Sequence, residues 1–163
     1  VALSVILFLV WGTASIVLSV QYDIHVGGRL QRAANANTVE TAKEELGHVV
    51  AELERWGWTK GSTHILWWEP SNDVGFWYNN IKSSLEELKK VRPETTQLER
   101  SNLLIKLRET ILDHGANGST VVTAPPGISV FPNNMGYCIW GWGSFLLLVA
   151  SGIGLSIAIV RDY

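Results

Sequence analysis

Residues 136–160 read GYCIWGWGSFLLLVASGIGLSIAIV, twenty-five consecutive residues without a charge. A helix needs about 20 apolar residues to cross the ~30 Å hydrocarbon layer of a bilayer, and this stretch reaches that length. A backbone in lipid must satisfy its own hydrogen bonds, so helix is the conformation to expect. A buried core helix is the alternative, but the remaining chain is too small to surround so long an uncharged run. The opposite end repeats the pattern: residues 1–20, VALSVILFLVWGTASIVLSV, also carry no charge. A secretory signal peptide has a shorter apolar core and a small-x-small cleavage site, and no such site precedes Gln21. The expectation is an all-α membrane protein with transmembrane helices over 1–21 and 136–160 and a short tail over 161–163.

Only 17% of the 163 residues are charged, against about 25% in soluble domains. The sequence starts at Val1 with neither an initiator methionine nor a basic flank, so further residues are expected before it. Arg161 directly follows the second span, which places the termini in the cytoplasm by the positive-inside rule. Arg29 and Arg32 lie on the domain side of the first span. The loop they begin exceeds ~60 residues, a length at which loop charge loses its influence on topology. The central domain is therefore expected on the extracytoplasmic side of a plasma, inner or other energy-transducing membrane.

Between the spans, residues 22–114 carry charges of both signs and periodic apolar positions. Asn37-Thr38-Val39-Glu40 has the spacing of a capping box. After it, Val39, Ala42, Leu46, Val49, Val50, Leu53 and Trp56 mark one helical face. This helix can extend upstream into the first span, with Gly27-Gly28 as the expected bend. A second helix is expected from Ser71 or Asn72, with Val74, Trp77, Tyr78, Ile81, Leu85, Leu88 and Val91 as its stripe and Pro93 as its stop. A third starts at the box Thr96-Gln97-Leu98-Glu99, with Leu98, Leu104, Ile105, Leu107, Ile111 and Leu112 apolar and Gly115 closing it. Short connections make these three an antiparallel bundle. Three helices leave the chain at the far end, so residues 115–135, uncharged and holding three prolines, are expected to return in extended form.

Signals for chemistry are thin. His25, His48, His64 and His114 show no i,i+3 or i,i+4 pairing, so no metal site is expected. His25 stands where it could ligate a haem or chlorin, but an interfacial histidine is the simpler reading, and no cofactor is assigned. The single cysteine, Cys138, forms no intramolecular disulfide. Glu44, Glu45, Glu52, Glu54, Glu86 and Glu87 fall opposite the apolar stripes, as a solvated face does. Nucleophile and phosphate-loop motifs are absent, so catalytic residues are not assigned. A net charge of −2 without a basic block argues against nucleic acid. Asn117-Gly118-Ser119 matches the N-glycosylation pattern, a frequent chance match.

Tryptophan is the distinctive residue of the domain. Trp56, Trp58, Trp67, Trp68 and Trp77, with Tyr78 beside them, fall within a short stretch. They can form an aromatic core at a helix corner, a partner-binding anchor, or a ligand pocket. Trp140 and Trp142 fit a membrane aromatic belt. In the second span Ala150, Gly154 and Ala158 repeat every four residues, and Ser15 and Ser19 offer a small face on the first. Such faces let helices approach closely in lipid. The functional expectation is a non-enzymatic accessory or structural subunit, in contact with lipid and with other membrane-protein subunits. The alternative is a membrane-anchored sensory or ligand-binding module using the Trp-rich loop, although three residues after the second span leave no room for an output domain.

Overall fold

The computed structural model describes residues 2–64, 69–114, 118–130, 132 and 135–161. It is mostly helical, at 74%, and two of its helices are long and apolar enough to cross a membrane. The first, α1 (Ala2–Tyr22), holds no acidic or basic residue in its end turns. It runs without a break through a π-helical turn, Asp23–Gly27, into α2 (Gly28–Ala34). The expected bend at Gly27-Gly28 is replaced by this wider turn. The Gly28 amide reaches back five residues to the Asp23 carbonyl, and a Cβ on Gly28 would stand 2.9 Å from that oxygen. Glycine is therefore required there sterically, rather than as a hinge. The extra residue in the turn also rotates the buried face, which continues from Tyr22 through Val26 and Leu30 to Ala33.

The chain then reverses at residues 35–38, and α3 (Val39–Arg55) begins. Its cap is Thr38, not Asn37. Thr38 has the extended backbone (φ −131°, ψ 149°) an N-cap needs, and its hydroxyl accepts from the Thr41 amide at 3.2 Å. Asn35 closes the preceding helix, its side-chain amide donating to the Gln31 carbonyl. The buried face of α3 is Val39, Ala42, Leu46, Val49, Val50 and Leu53, with Glu45 among them. Helix α4 (Val74–Lys89) follows a 3₁₀ turn at Pro70–Asn72 and is capped by Asp73, which accepts from the Phe76 amide. It buries Val74, Trp77, Tyr78, Ile81, Leu85 and Leu88. Helix α5 (Gln97–Ile111) starts at a complete capping box between Thr96 and Glu99. Only Leu107 and Ile111 of its stripe are buried, while Leu98 and Ile105 are exposed. Each buried Leu or Ile contributes about 1.5–3 kcal/mol through the hydrophobic effect.

Four helical segments thus pack around one core, α2 on α3, α3 on α4, α4 on α5 and α5 back on α2. The sequence reading had three, because the reversal at 35–38 has no proline or glycine to mark it. The fourth helix changes the path of the chain. With α2 and α4 running one way and α3 and α5 the other, α5 ends on the side where α2 began. The following segment need not cross the domain. It forms a two-stranded hairpin, β1 (Leu112–His114) with β2 (Thr120–Val122), antiparallel in register Leu112↔Val122. The Thr123 amide then bonds the Ile111 carbonyl at 2.7 Å, turns follow at Pro125–Val130, and Ile128 is buried in the core. Gly115 lies outside the described residues. Helix α6 (Met135–Arg161) closes the chain, lying antiparallel against α1.

Candidate functional site: a helix seam and an aromatic corner

The seam between α1 and α6 follows heptad spacing on both helices. On α1 it runs through Ser4, Phe8, Trp11, Ser15 and Leu18, and on α6 through Tyr137, Gly141, Ser144, Leu148 and Ser151. Small residues on α6 admit a large one from α1: a Cβ on Gly141 would stand 2.6 Å from the Trp11 indole. The Trp11 Nε1–H donates to the Tyr137 carbonyl at 3.2 Å, and the Tyr137 hydroxyl donates to the Trp11 carbonyl at 2.6 Å. Their rings stack with centroids 5.6 Å apart. Ser15 Oγ also bonds the Tyr137 hydroxyl. Further along, Ser4 Oγ and Ser151 Oγ bond each other at 2.9 Å, and Ser144 Oγ donates to the Gly141 carbonyl. These groups are partnered, as polar atoms in an apolar setting must be.

Ser15 therefore lies in the seam and Ser19 is exposed. Ala150, Gly154 and Ala158 occupy the exposed side of α6, and nothing approaches within 4 Å of a Cβ built on Gly154. Trp11, Tyr137 and Gly141 were not singled out from sequence. Their signal was the alternating three- and four-residue spacing that they share with the serines on each helix.

Among the described residues, the aromatic side chains of the domain do not gather in one place. Trp56 and Trp58, at the end of α3, pack against each other with centroids 4.7 Å apart. Gly57 between them has φ +71°, which lets the chain turn out of the helix. Trp58 meets Tyr22 at 6.2 Å, His25 meets Trp56 edge-on at 6.1 Å, and the Arg55 guanidinium lies 5.8 Å over the Trp56 ring. This corner sits at the junction of α1 and the domain. Trp67 and Trp68 lie outside the described residues.

Trp77 is on another side of the domain, where its indole N–H donates to the Thr123 carbonyl at 2.6 Å. Beside it is a cavity of about 330 Å³ walled by Leu30, Phe76, Trp77, Ile81, Ile111 and Pro125. Tyr78 points elsewhere again, donating to Glu54 at 2.6 Å while Lys82 bonds both. The bond from Tyr78, then that from Lys82, hold the Glu54 carboxyl below its usual range. Burial, then the bond to Glu54, push the Tyr78 phenol up. Lys82 is raised by the same two partners. The three groups together tie α3 to α4.

Among the described residues Glu45 is the buried charge of the domain, 5% exposed, and is clamped by Arg29 at 3.0 Å and Arg32 at 2.5 Å. Burial of a carboxylate demands such pairing. Among the described residues no group of three or more His, Cys, Asp or Glu is placed to hold a metal. Cys138 is half-buried in the first turn of α6. No family of known proteins matches this chain, nor does any curated protein or solved structure.

Proposed function

We propose that this chain is an integral membrane protein, spanning the bilayer with α1 and α6, and that it serves as a non-enzymatic accessory or structural subunit bound to other membrane-protein subunits. The observation that carries this reading is the division of α6 into two small-residue faces. One, through Gly141, Ser144 and Ser151, is filled by α1. The other, through Ala150, Gly154 and Ala158, faces outward with nothing from this chain against it. Rows of small residues are the surfaces along which helices approach closely in lipid. At 1.5 Å per residue α1 is about 31 Å long and α6 about 40 Å, enough to cross the hydrocarbon layer.

The exposed side chains along both helices support lipid as their surroundings. Leu3, Ile6, Leu9, Ile16, Leu146, Leu147, Ile153 and Ile157 are all more than half exposed. Under this reading the domain lies on the extracytoplasmic side with the termini cytoplasmic, a topology supported by Arg161 at the end of α6 through the positive-inside rule. Arg29 and Arg32, the competing basic residues, are both paired with Glu45. The test is extraction in mild detergent followed by native mass measurement. The chain is expected with other proteins, and Gly154→Leu is expected to release it while leaving its helical content unchanged. A monomer, or an assembly indifferent to Gly154→Leu, contradicts the reading.

The cavity beside Trp77 favours a second reading, a sensory or ligand-binding module. Under that reading the purified chain is a monomer, and an apolar small molecule changes the fluorescence of Trp77.

A further inference from the structure

We infer that Trp56 and Trp58 anchor the underside of the helical domain in the headgroup layer of the bilayer, so that the domain rests on the membrane surface. This inference rests on the membrane reading above. Its first support is placement. Helix α3 runs back antiparallel to α2 and carries its last residues to the end of α1, where the Trp58 ring meets Tyr22 and the Trp56 ring meets His25. The second is the outer side of α1 at that height. Ile16, Val20 and Ile24 are 66%, 50% and 62% exposed, so an apolar surrounding is needed up to the level of the corner. Trp140 and Trp142, expected from sequence as the aromatic belt, lie about ten residues further along the seam, ~15 Å from this corner at 1.5 Å per residue, so under this inference the belt is at Trp56 and Trp58 and those two sit below it.

The third support is the chemistry of the two rings. Both are half-buried against the domain core, and among the described residues neither indole N–H has a protein acceptor. A ring with an apolar body and an unmet N–H suits the boundary between hydrocarbon and headgroup, where ester and phosphate oxygens accept. Charge contributes little. Arg55, stacked on Trp56, is bonded to Glu52 at 2.7 Å, and Asp23 stands exposed nearby. The anchoring is therefore expected on zwitterionic lipid and does not require anionic lipid.

The test uses the full chain with Cys138→Ser, in phosphatidylcholine vesicles, carrying one nitroxide on a cysteine at Thr59, Glu94 or Ile153. Accessibility to oxygen, which favours lipid, and to a water-soluble nickel chelate is read by spin resonance at each site. Glu94, in the exposed connection at the far end of the domain, is the aqueous reference, and Ile153 on α6 is the lipid reference. Thr59 is expected between the two, with a loss of nickel accessibility relative to Glu94 and measurable oxygen accessibility. The same profile is expected when phosphatidylglycerol is added. If Thr59 is as aqueous as Glu94 while Ile153 is in lipid, this inference falls and the membrane reading stands. If Ile153 is aqueous as well, both fall. Exclusion of both reagents from Thr59 means that protein covers the corner, and shielding seen only with phosphatidylglycerol means that charge drives the contact. Either overturns the inference.

Discussion

Trp11 and Tyr137 each donate a side-chain hydrogen bond to the other's backbone carbonyl, the indole at 3.2 Å and the phenol at 2.6 Å. This reciprocal clasp joins two helices through residues 126 positions apart in the chain. It forms only because residue 141 has no side chain, since the Trp11 ring fills the place of its Cβ. If α1 and α6 lie in lipid as proposed, each such bond is worth about 0.6–2 kcal/mol, and the clasp and the ring packing together would set the register.

Gly141→Leu is expected to separate the helices. Overpacking a tight contact costs about 1–3 kcal/mol, and here the displaced indole also loses its acceptor. The readout is a disulfide between Ser4→Cys and Ser151→Cys in a Cys138→Ser chain, since the two hydroxyls are 2.9 Å apart. The bridge should form readily in that background, weaken in Tyr137→Phe and largely disappear in Gly141→Leu. Gly154→Leu, on the opposite face, should leave it unchanged. A bridge that survives Gly141→Leu means that the seam is not where it is described.

The start of α3 gives a second comparison. Thr38→Ala removes the acceptor of the Thr41 amide and should cost about 1 kcal/mol, the usual value of an N-cap. Asn37→Ala should fall within about 0.5 kcal/mol of the parent, as surface changes do. Denaturant midpoints followed by helical signal distinguish the two. Equal losses would move the cap back to Asn37.

Acid should weaken the domain in a defined range. Glu54, Glu86 and Glu99 have carboxyls held below their usual values, by Tyr78, by Lys89 and by the Thr96 amide respectively. A carboxyl whose pKa is lowered by folding adds stability that is complete above its unfolded pKa, about 4.3, and is lost as pH falls through the folded value. Melting temperature is therefore expected to hold between pH 7 and 5 and to drop below about pH 4. Glu99→Gln, which keeps an acceptor for the Thr96 amide, should flatten the drop. A melting temperature that rises on acidification contradicts these pairings.

That α3, α4 and α5 are helices was legible from apolar spacing, and which side they bury was legible where only one side is apolar. Helix α3 is the clear case, because Glu44, Glu52 and Glu54 leave Leu46, Val49 and Leu53 no competing face. Helix α5 is the opposite case. Leu98 and Ile105 repeat at seven residues as regularly as Leu104 and Ile111 do, and periodicity alone cannot say which pair faces inward. The packing of α2 and α4 against α5 decides it. In the two apolar helices the same ambiguity extends around the whole circumference. The Ala150, Gly154 and Ala158 row and the Tyr137, Gly141, Ser144 row are both acceptable packing faces in isolation. Trp11, a large residue needing a gap opposite, is what selects the second for α1.

The reversal at residues 35–38 was hidden for a different reason. Asn35, Ala36, Asn37 and Thr38 include no proline or glycine, and alanine on either side favours continued helix. The turn is made by side-chain caps, Asn35 closing α2 and Thr38 opening α3, which resemble ordinary polar helix residues until the backbone is seen. Missing it removed one helix from the domain and sent the chain to the wrong end. The extended return over 115–135 was needed only to repair that path.

The account depends most on α1 and α6 lying in a bilayer. Membranes from cells expressing the chain, washed in alkaline carbonate and sedimented, test this directly. The chain is expected to remain wholly in the pellet and to be released by detergent alone. A chain recovered in the carbonate supernatant, folded and monodisperse without detergent, would contradict the two spans and everything placed relative to them.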